Sequence, residues 1–432
     1  MLNRKKFSII FIVSLVAIAA TINFQTGENW KVIELGRINQ SVINRFIFSP
    51  DGKIIATSND REVTLWNLEA EQIRTLSSDT TKAKIRSFVF SPEGQLILTA
   101  SNTGVTLWNT QGKQLWTSPF ITQDYGIFDI PVVAFHPDGK MIVALGNKEV
   151  KLWNLNGEEI KALPHKETIE EFRFSLDGQT IATRSSQEVK LWSRSGEELQ
   201  ILKRSGLTTL TVPGRVSLNK GYVGRFEYVS FSPDGRTIIT IDDGNVNLWS
   251  QEGKLLRNLS TLMAYRTAPN SNNTAILTSH PEGARLWNYQ GKLLYSFKHS
   301  GMYHTSWSPD NQIVATAGSR GVTLWNAEDG KRIQTLLRIS LWNILEDIYD
   351  IEYNCGSVSF SSNGQIIAAV CKFYYGTGVF KHGLRLWSRD GQEIWTPDEN
   401  GYDSYVFSPD SQTLAVKHEG QLILLKLSVR KR

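Results

Sequence analysis

Cysteine is almost missing from this chain: Cys355 and Cys371 are the two in 432 residues. That count excludes a disulfide-dense scaffold and a four-cysteine zinc site. Charge of either sign is also scarce in excess. Forty-seven Lys and Arg stand against 42 Asp and Glu, a net of +5. Arg4, Lys5 and Lys6 supply three of those charges, so the remainder is close to neutral. A nucleic-acid-binding face needs clustered basic residues, and none is indicated. The seven histidines, His136, His165, His280, His299, His304, His382 and His418, are scattered. No pair has metal-ligand spacing, and His299 and His304, five apart in a connection, read as structural. There is no G-x-S-x-G elbow and no P-loop. Asp242 and Asp243 sit where a turn wants aspartate and read as turn formers. No catalytic, cofactor-binding or metal residue is expected.

Long hydrophobic runs are equally rare, with one exception. After Arg4, Lys5 and Lys6, an apolar stretch runs from Phe7 to Ala20 and more weakly to Phe24, with no charge before Glu28. A basic segment followed by an apolar one is an export signal. Two outcomes are open. Ala17 and Ala19 form an A-x-A cleavage site, whereas an uncleaved helix over residues 7–24 spans about 27 Å, just short of a hydrocarbon core of about 30 Å. Residues 1–24 are therefore a signal peptide or signal anchor, and 25–29 a short linker. Basic flanks keep the N-terminus inside and send the rest across the membrane. The chain is expected to be exported, either anchored and facing the periplasm or outside, or secreted if cleaved.

What the sequence has in quantity is repetition. Phe48-Ser49-Pro50-Asp51-Gly52 is followed by Leu65-Trp66-Asn67, and the Phe-to-Trp offset is 18 residues. The same offset links Phe90 to Trp108, Phe135 to Trp153, Phe174 to Trp192, Phe231 to Trp249, Trp307 to Trp325 and Phe407 to Leu425. Near Trp287 the upstream motif has decayed to Pro269–Asn273, and Phe360 lies 27 residues before Trp387, a nine-residue insertion. Nine copies with a period near 40 residues mean stacked supersecondary units. Proline at the second turn position and glycine at the fourth suit a tight hairpin. Alternating apolar segments around it, a strand ending in Leu-Trp and a further strand after a Gly-Lys or Gly-Glu turn make four short antiparallel strands, one propeller blade.

These motifs resemble the WD-repeat family over roughly residues 30–428, with Asn or Ser after the Trp in place of Asp. The resemblance implies an all-β, single closed propeller of four-stranded blades. Nine blades are expected, with eight or seven as alternatives. It also implies a non-enzymatic scaffold that binds protein. The family's Gly-His pair is nearly absent; His165 is the one histidine clearly at that position. The last copy stops after its third strand. Residues 30–35 should supply the fourth and close the ring, leaving 429–432 as a basic tail. In a propeller of this family that fourth strand starts at the bottom, so an anchored ring turns its top away from the membrane.

Loop length carries the functional expectation. Bottom turns barely vary, while top connections do. The gaps from Trp192 to Phe231 and from Trp325 to Phe360 are 39 and 35 residues. The second gap and the insertion both belong to the eighth unit. Trp342, Asp347, Tyr349, Asp350, Tyr353, Phe373, Tyr374, Tyr375 and Phe380 are the candidate partner-binding residues there. Aromatics beside acidic groups suit a basic or amphipathic protein partner. Cys355 and Cys371 flank the hairpin at Ser361–Gly364; after export they form a disulfide, or else they are two buried thiols. The competing readings are a propeller enzyme or small-ligand carrier using the central channel, and a TolB-like periplasmic assembly factor. The oligomer expectation is a monomeric ring.

Overall fold

The computed structural model describes residues 30–77, 84–120, 122, 132–203, 226–242, 244–259, 264–299, 301–319, 321–336, 352–374, 380–395 and 401–429. The expected N-terminal helix and the tail at 430–432 lie outside them. Among the described residues no helix is long and apolar enough to cross a membrane. Among the described residues thirty-six strands form nine four-stranded antiparallel sheets, the blades of a closed propeller. Eight are continuous in sequence, at 45–77, 85–118, 133–164, 169–203, 226–258, 266–298, 304–336 and 352–395. Blade nine takes Tyr402–Phe407, Thr413–His418 and Gln421–Val429 from one end of the chain and Trp30–Ile38 from the other.

A single blade shows why the repeat folds this way. In blade one, Arg45–Phe48 and Ile55–Ser58 pair around the Ser49–Lys53 turn. The Ser49 hydroxyl donates to Asp51 Oδ1 at 2.6 Å and accepts the Ile54 amide at 3.0 Å. That hydroxyl holds the Asp51 carboxyl below its ordinary pKa. Gly52 sits at φ 72°, a conformation that costs an L-residue about 1–2 kcal/mol. The shape is kept even where glycine is lost: Asn311 and Ser411, at the same turn position, have φ 61° and 63°. The Asp and Ser abundance is thus spent on turns. Asp242 is the buried last residue of its strand and pairs with Asn245 across the turn expected there, while Asp243 falls outside the described residues.

Between blades lie nine apolar clusters, one per interface. The repeated Trp packs on the preceding blade, as Trp153 does with Leu98, Val105 and Leu107. Its indole N–H donates across its own blade to a buried threonine: Trp66 to Thr57 at 2.8 Å, Trp108 to Thr99 at 2.9 Å, Trp192 to Thr183 at 2.7 Å. In blade three Ala144 holds the threonine's register position and the bond is replaced by apolar contact. His165 joins the relay, its Nε2 2.6 Å from Thr183 Oγ1. So does His299, whose Nδ1 is 2.7 Å from Thr316 Oγ1, a second histidine at the family position that its shorter spacing from Trp307 conceals.

Ring closure rests on the ninth interface and on the strand pair that completes blade nine. Trp30 pairs with Val429, Lys31 with Ser428 and onward to Ile38 with Leu422. The closing strand is longer than expected, ending at Ile38 rather than residue 35. Ile38, fully buried, then packs with Phe46 and Phe48 of blade one and Leu422 and Leu424 of blade nine.

Two outcomes check this account. Removing residues 28–38 opens the ring and lowers the midpoint of thermal unfolding by on the order of 10 °C or more, read by circular dichroism; an unchanged midpoint contradicts closure. Burial depresses the His165 pKa to about 4 from 6.5, with the nearby Lys190 charge adding to it. The unfolded chain therefore takes up that proton first. The stability tied to neutral His165 is complete above pH 6.5 and is lost as pH falls toward 4, by on the order of 3 kcal/mol at most. Denaturant unfolding from pH 7 to 4.5 should show a shallower loss in His165→Gln than in the parent.

Candidate functional site

In blades one to seven the first three strands run three to six residues. In blade eight they run nine each: Glu352–Phe360, Ile366–Tyr374 and Phe380–Ser388. The pair Ser357–Val370 occupies the register at which Arg45–Ser58 ends blade one. The pair beyond it, Cys355–Cys371, stands where Ile85–Ser101 ends blade two, and Glu352–Asn354, Lys372–Tyr374 and Phe380–His382 form a three-stranded extension above the ring. Three residues of antiparallel strand rise about 10 Å. The insertion was expected as variable loops; the structure makes most of it sheet, because the added segments are of equal length and pair residue for residue.

A disulfide lies at the base of the extension. Cys355 and Cys371 are direct cross-strand partners, 3.9 Å apart at Cα, and their sulfurs are bonded. Of the two alternatives for these cysteines, the structure has the disulfide. Both residues are buried, in the cluster formed with Ala317, Val322 and Leu336 of blade seven. The clip thus ties the last pair of the usual blade, at the base of the extension, into the interface between blades seven and eight. The side chain of Asn354, one residue above, donates to Tyr303 Oη of blade seven at 3.2 Å, and Tyr303 is 49% exposed. Tyr303, Asn354 and the exposed Lys372 escaped the sequence reading because they carry no insertion or repeat signature of their own.

Of the nine partner-binding candidates, four are placed together on the extension. Tyr353 pairs with Phe373, and Tyr374 pairs with Phe380. Trp342, Asp347, Tyr349, Asp350 and Tyr375 lie outside the described residues, and so does the long connection between blades four and five.

The opposite end of the molecule has its own projection. Glu34–Leu425 matches the register at which Gln72–Trp66 begins the outer hairpin of blade one. Trp30–Ile33 and Lys426–Val429 continue about 14 Å below it, so both described chain ends sit at the bottom, on the blade next to the extension. Trp30 lines a shallow cleft there with Ser388, Arg389 and Asp390 of blade eight.

Inner strands carry polar side chains that satisfy one another across blades. Arg45 donates to Ser87 at 3.1 Å, and Ser359 donates to Tyr405, which donates to the Ala368 carbonyl at 2.8 Å. Burial pushes Tyr405 up to about 12. Near the top of blade four, buried Arg184 bonds Glu171 at 3.0 Å, Glu170 at 2.6 Å and the Phe226 carbonyl of blade five at 2.7 Å. Arg173 also pairs with Glu171. Removing one partner of such a buried pair typically costs about 3–5 kcal/mol. This network joins blades four and five, and sequence patterning does not announce it. Among the described residues no His, Cys, Asp and Glu side chains gather in a metal-holding group.

A family model described as "WD domain, G-beta repeat" matches residues 35–67, 70–109, 128–154, 224–250 and 291–326. A solved structure described as the crystal structure of the eukaryotic initiation factor superposes with a TM-score of 0.61 at 14% identity, over 84% of this chain and 89% of that one. The C-terminal WD40 domain of Sif2 superposes at 0.54 and 13% identity, over 93% of this chain and 99% of that one. At these identities the likeness is one of fold. No curated protein matches this chain.

Replacing Cys355 and Cys371 together by serine opens a loop whose ends are 16 residues apart. The expected loss is about 3 kcal/mol, with faster amide exchange in 352–356 and 371–374 than in the rest of blade eight. Uniform exchange across the blade contradicts a clip at the base of the extension.

Proposed function

We propose, from the match of this chain's repeats to the WD-repeat model, that it is a non-catalytic scaffold at the cell envelope whose eighth blade captures a protein partner. Propellers of this family generally bind proteins and generally lack catalysis. The observation that carries the reading is the opposition of the two projections. Trp30 and Val429, the described chain ends, lie at the bottom, and the blade-eight extension stands at the top. In the proposed arrangement residues 7–24 hold the bottom at a membrane, and the extension reaches into the aqueous compartment beyond. Arg430, Lys431 and Arg432 would follow Val429 at the bilayer side, where each basic charge near anionic lipid contributes about 1 kcal/mol. The Cys355–Cys371 disulfide supports export, since such bonds persist in oxidising compartments.

The test is crosslinking in intact envelopes from photoreactive residues placed on the extension, followed by mass spectrometry. Tyr374→Ala with Tyr375→Ala should cut the yield of the captured partner about tenfold without moving the unfolding midpoint. A fall in stability with unchanged capture assigns these tyrosines to packing alone and overturns the proposed surface.

A further inference from the structure

At the bottom of the ring, the grooves between blades differ in charge. Between blades seven and eight, Arg389, two residues after Trp387, pairs with Asp310 and donates to Gln312, five residues after Trp307. Between blades three and four the same two positions hold Arg194 and Lys140. Among the described residues no other groove has a cation at both; blades one and two place Lys53 with Thr110, and blades five and six Arg236 with Tyr289. Arg194 pairs with Asp138, but that carboxylate is shared with His136, whose Nδ1 lies 2.6 Å from it. Lys140, which stands where Gln312 accepts in the other groove, has no ion pair among the described residues. The carboxylates nearby are spent elsewhere: Glu158 accepts from Asn154 at 2.7 Å, Glu159 pairs with Lys151 at 3.0 Å and Glu197 with Lys161 at 3.1 Å.

The two cations line a cleft of about 500 Å³ with Ser193, Ser195, Met141 and Ile160. The serine hydroxyls are 2.9 Å apart. Two cations beside two hydroxyls suit a phosphate group, which offers several acceptor oxygens to charge-assisted bonds. A second observation comes from the next turn. Leu176 is 72% exposed, more than any other large apolar side chain among the described residues. Six other blades have proline at that position, which presets the turn; leucine gives that up and gains no burial. Gln179 of the same turn lines the cleft. An aliphatic tip beside basic groups is the pattern of interfacial lipid contact, with the tip below the headgroups and the cations among them.

We propose that the cleft between blades three and four binds the headgroup phosphate of an anionic phospholipid, with Leu176 dipping into the bilayer beside it. The inference rests on the reading that the bottom of the ring faces a membrane, and it adds a second point of contact there. Blade four lies nearly opposite blade nine, where both described chain ends descend, so contact at both sides levels the ring. The contact is local. Other bottom turns carry Asp51, Asp234, Asp310 and Asp410, and a face with those carboxylates does not draw anionic lipid by its overall charge.

The experiment places the full chain in phosphatidylcholine vesicles bearing quencher lipids, with and without phosphatidylglycerol. A fluorescent label is carried by Asn156→Cys, at an exposed position of the adjoining bottom turn of blade three. Quenching should rise at least about threefold when phosphatidylglycerol is present. Lys140→Glu and Leu176→Pro should each remove at least about half of that rise. Leu176→Pro installs the residue that the other turns use, so the fold is kept. Lys53→Glu, at the matching position of blade one, should leave the rise unchanged. Inorganic phosphate at about 1 mM should leave it unchanged as well. Four results overturn the proposal: no rise with phosphatidylglycerol, a rise that survives Lys140→Glu, an equal loss in Lys53→Glu, or abolition by inorganic phosphate, which assigns the cleft to the free ion. A label on Lys31→Cys separates this inference from the broader reading. Quenching at 31 with no rise at 156 leaves attachment at blade nine standing and removes the second contact. A rise at 156 with no quenching at 31 does the reverse.

Discussion

The structure depends on one strand pair, Trp30–Ile38 with Gln421–Val429. Each blade hides its flat faces against two neighbours, so a row of blades always leaves two apolar faces in water until the first meets the last. Completing blade nine with a strand from the other end of the chain lets Ile38 seal that last interface with Phe46 and Leu424. The same pair decides where the chain leaves the ring. Trp30 and Val429 lie side by side at the bottom, and any attachment through the neighbouring residues orients the whole molecule.

Closure also explains how much variation the rest can bear. Six described tryptophans donate to a threonine within their blade, but blade three replaces that threonine with Ala144 and still packs Trp153 at 2% exposure. Blade six has lost its Ser-Pro-Asp-Gly turn and folds with Asn270 in the serine's place, its side chain accepting the Thr274 and Ala275 amides. Redundancy around a closed ring leaves single blades free to diverge, and among the described residues blade eight has diverged furthest, at the top.

The architecture was legible in the sequence because its signals are local and periodic. The 18-residue offset between the turn and the Leu-Trp strand is a hairpin length, and nine copies of it are nine blades. The unfinished last copy pointed to the closing strand. The site was less legible for a physical reason. An insertion marks where a blade departs from the pattern, but its shape depends on pairing between segments that no repeat templates. Hence Phe373 and Phe380 were found as members of loops and turned out to belong to strands. Tyr303 and Asn354, which join blades seven and eight, bear no sequence mark. The Arg184–Glu171 pair is likewise a contact between positions that periodicity treats as interchangeable.

The two projections give the ring a direction, with both described chain ends below and the blade-eight extension above. The most direct measurement compares depth at two exposed lysines, Lys31 on the lower hairpin and Lys372 on the upper extension. With each in turn replaced by a labelled cysteine, the full chain is placed in vesicles containing quencher-bearing lipids. Quenching of the label at 31 with none at 372 is the result the account predicts. Equal quenching at both sites, or quenching at 372 alone, would contradict it.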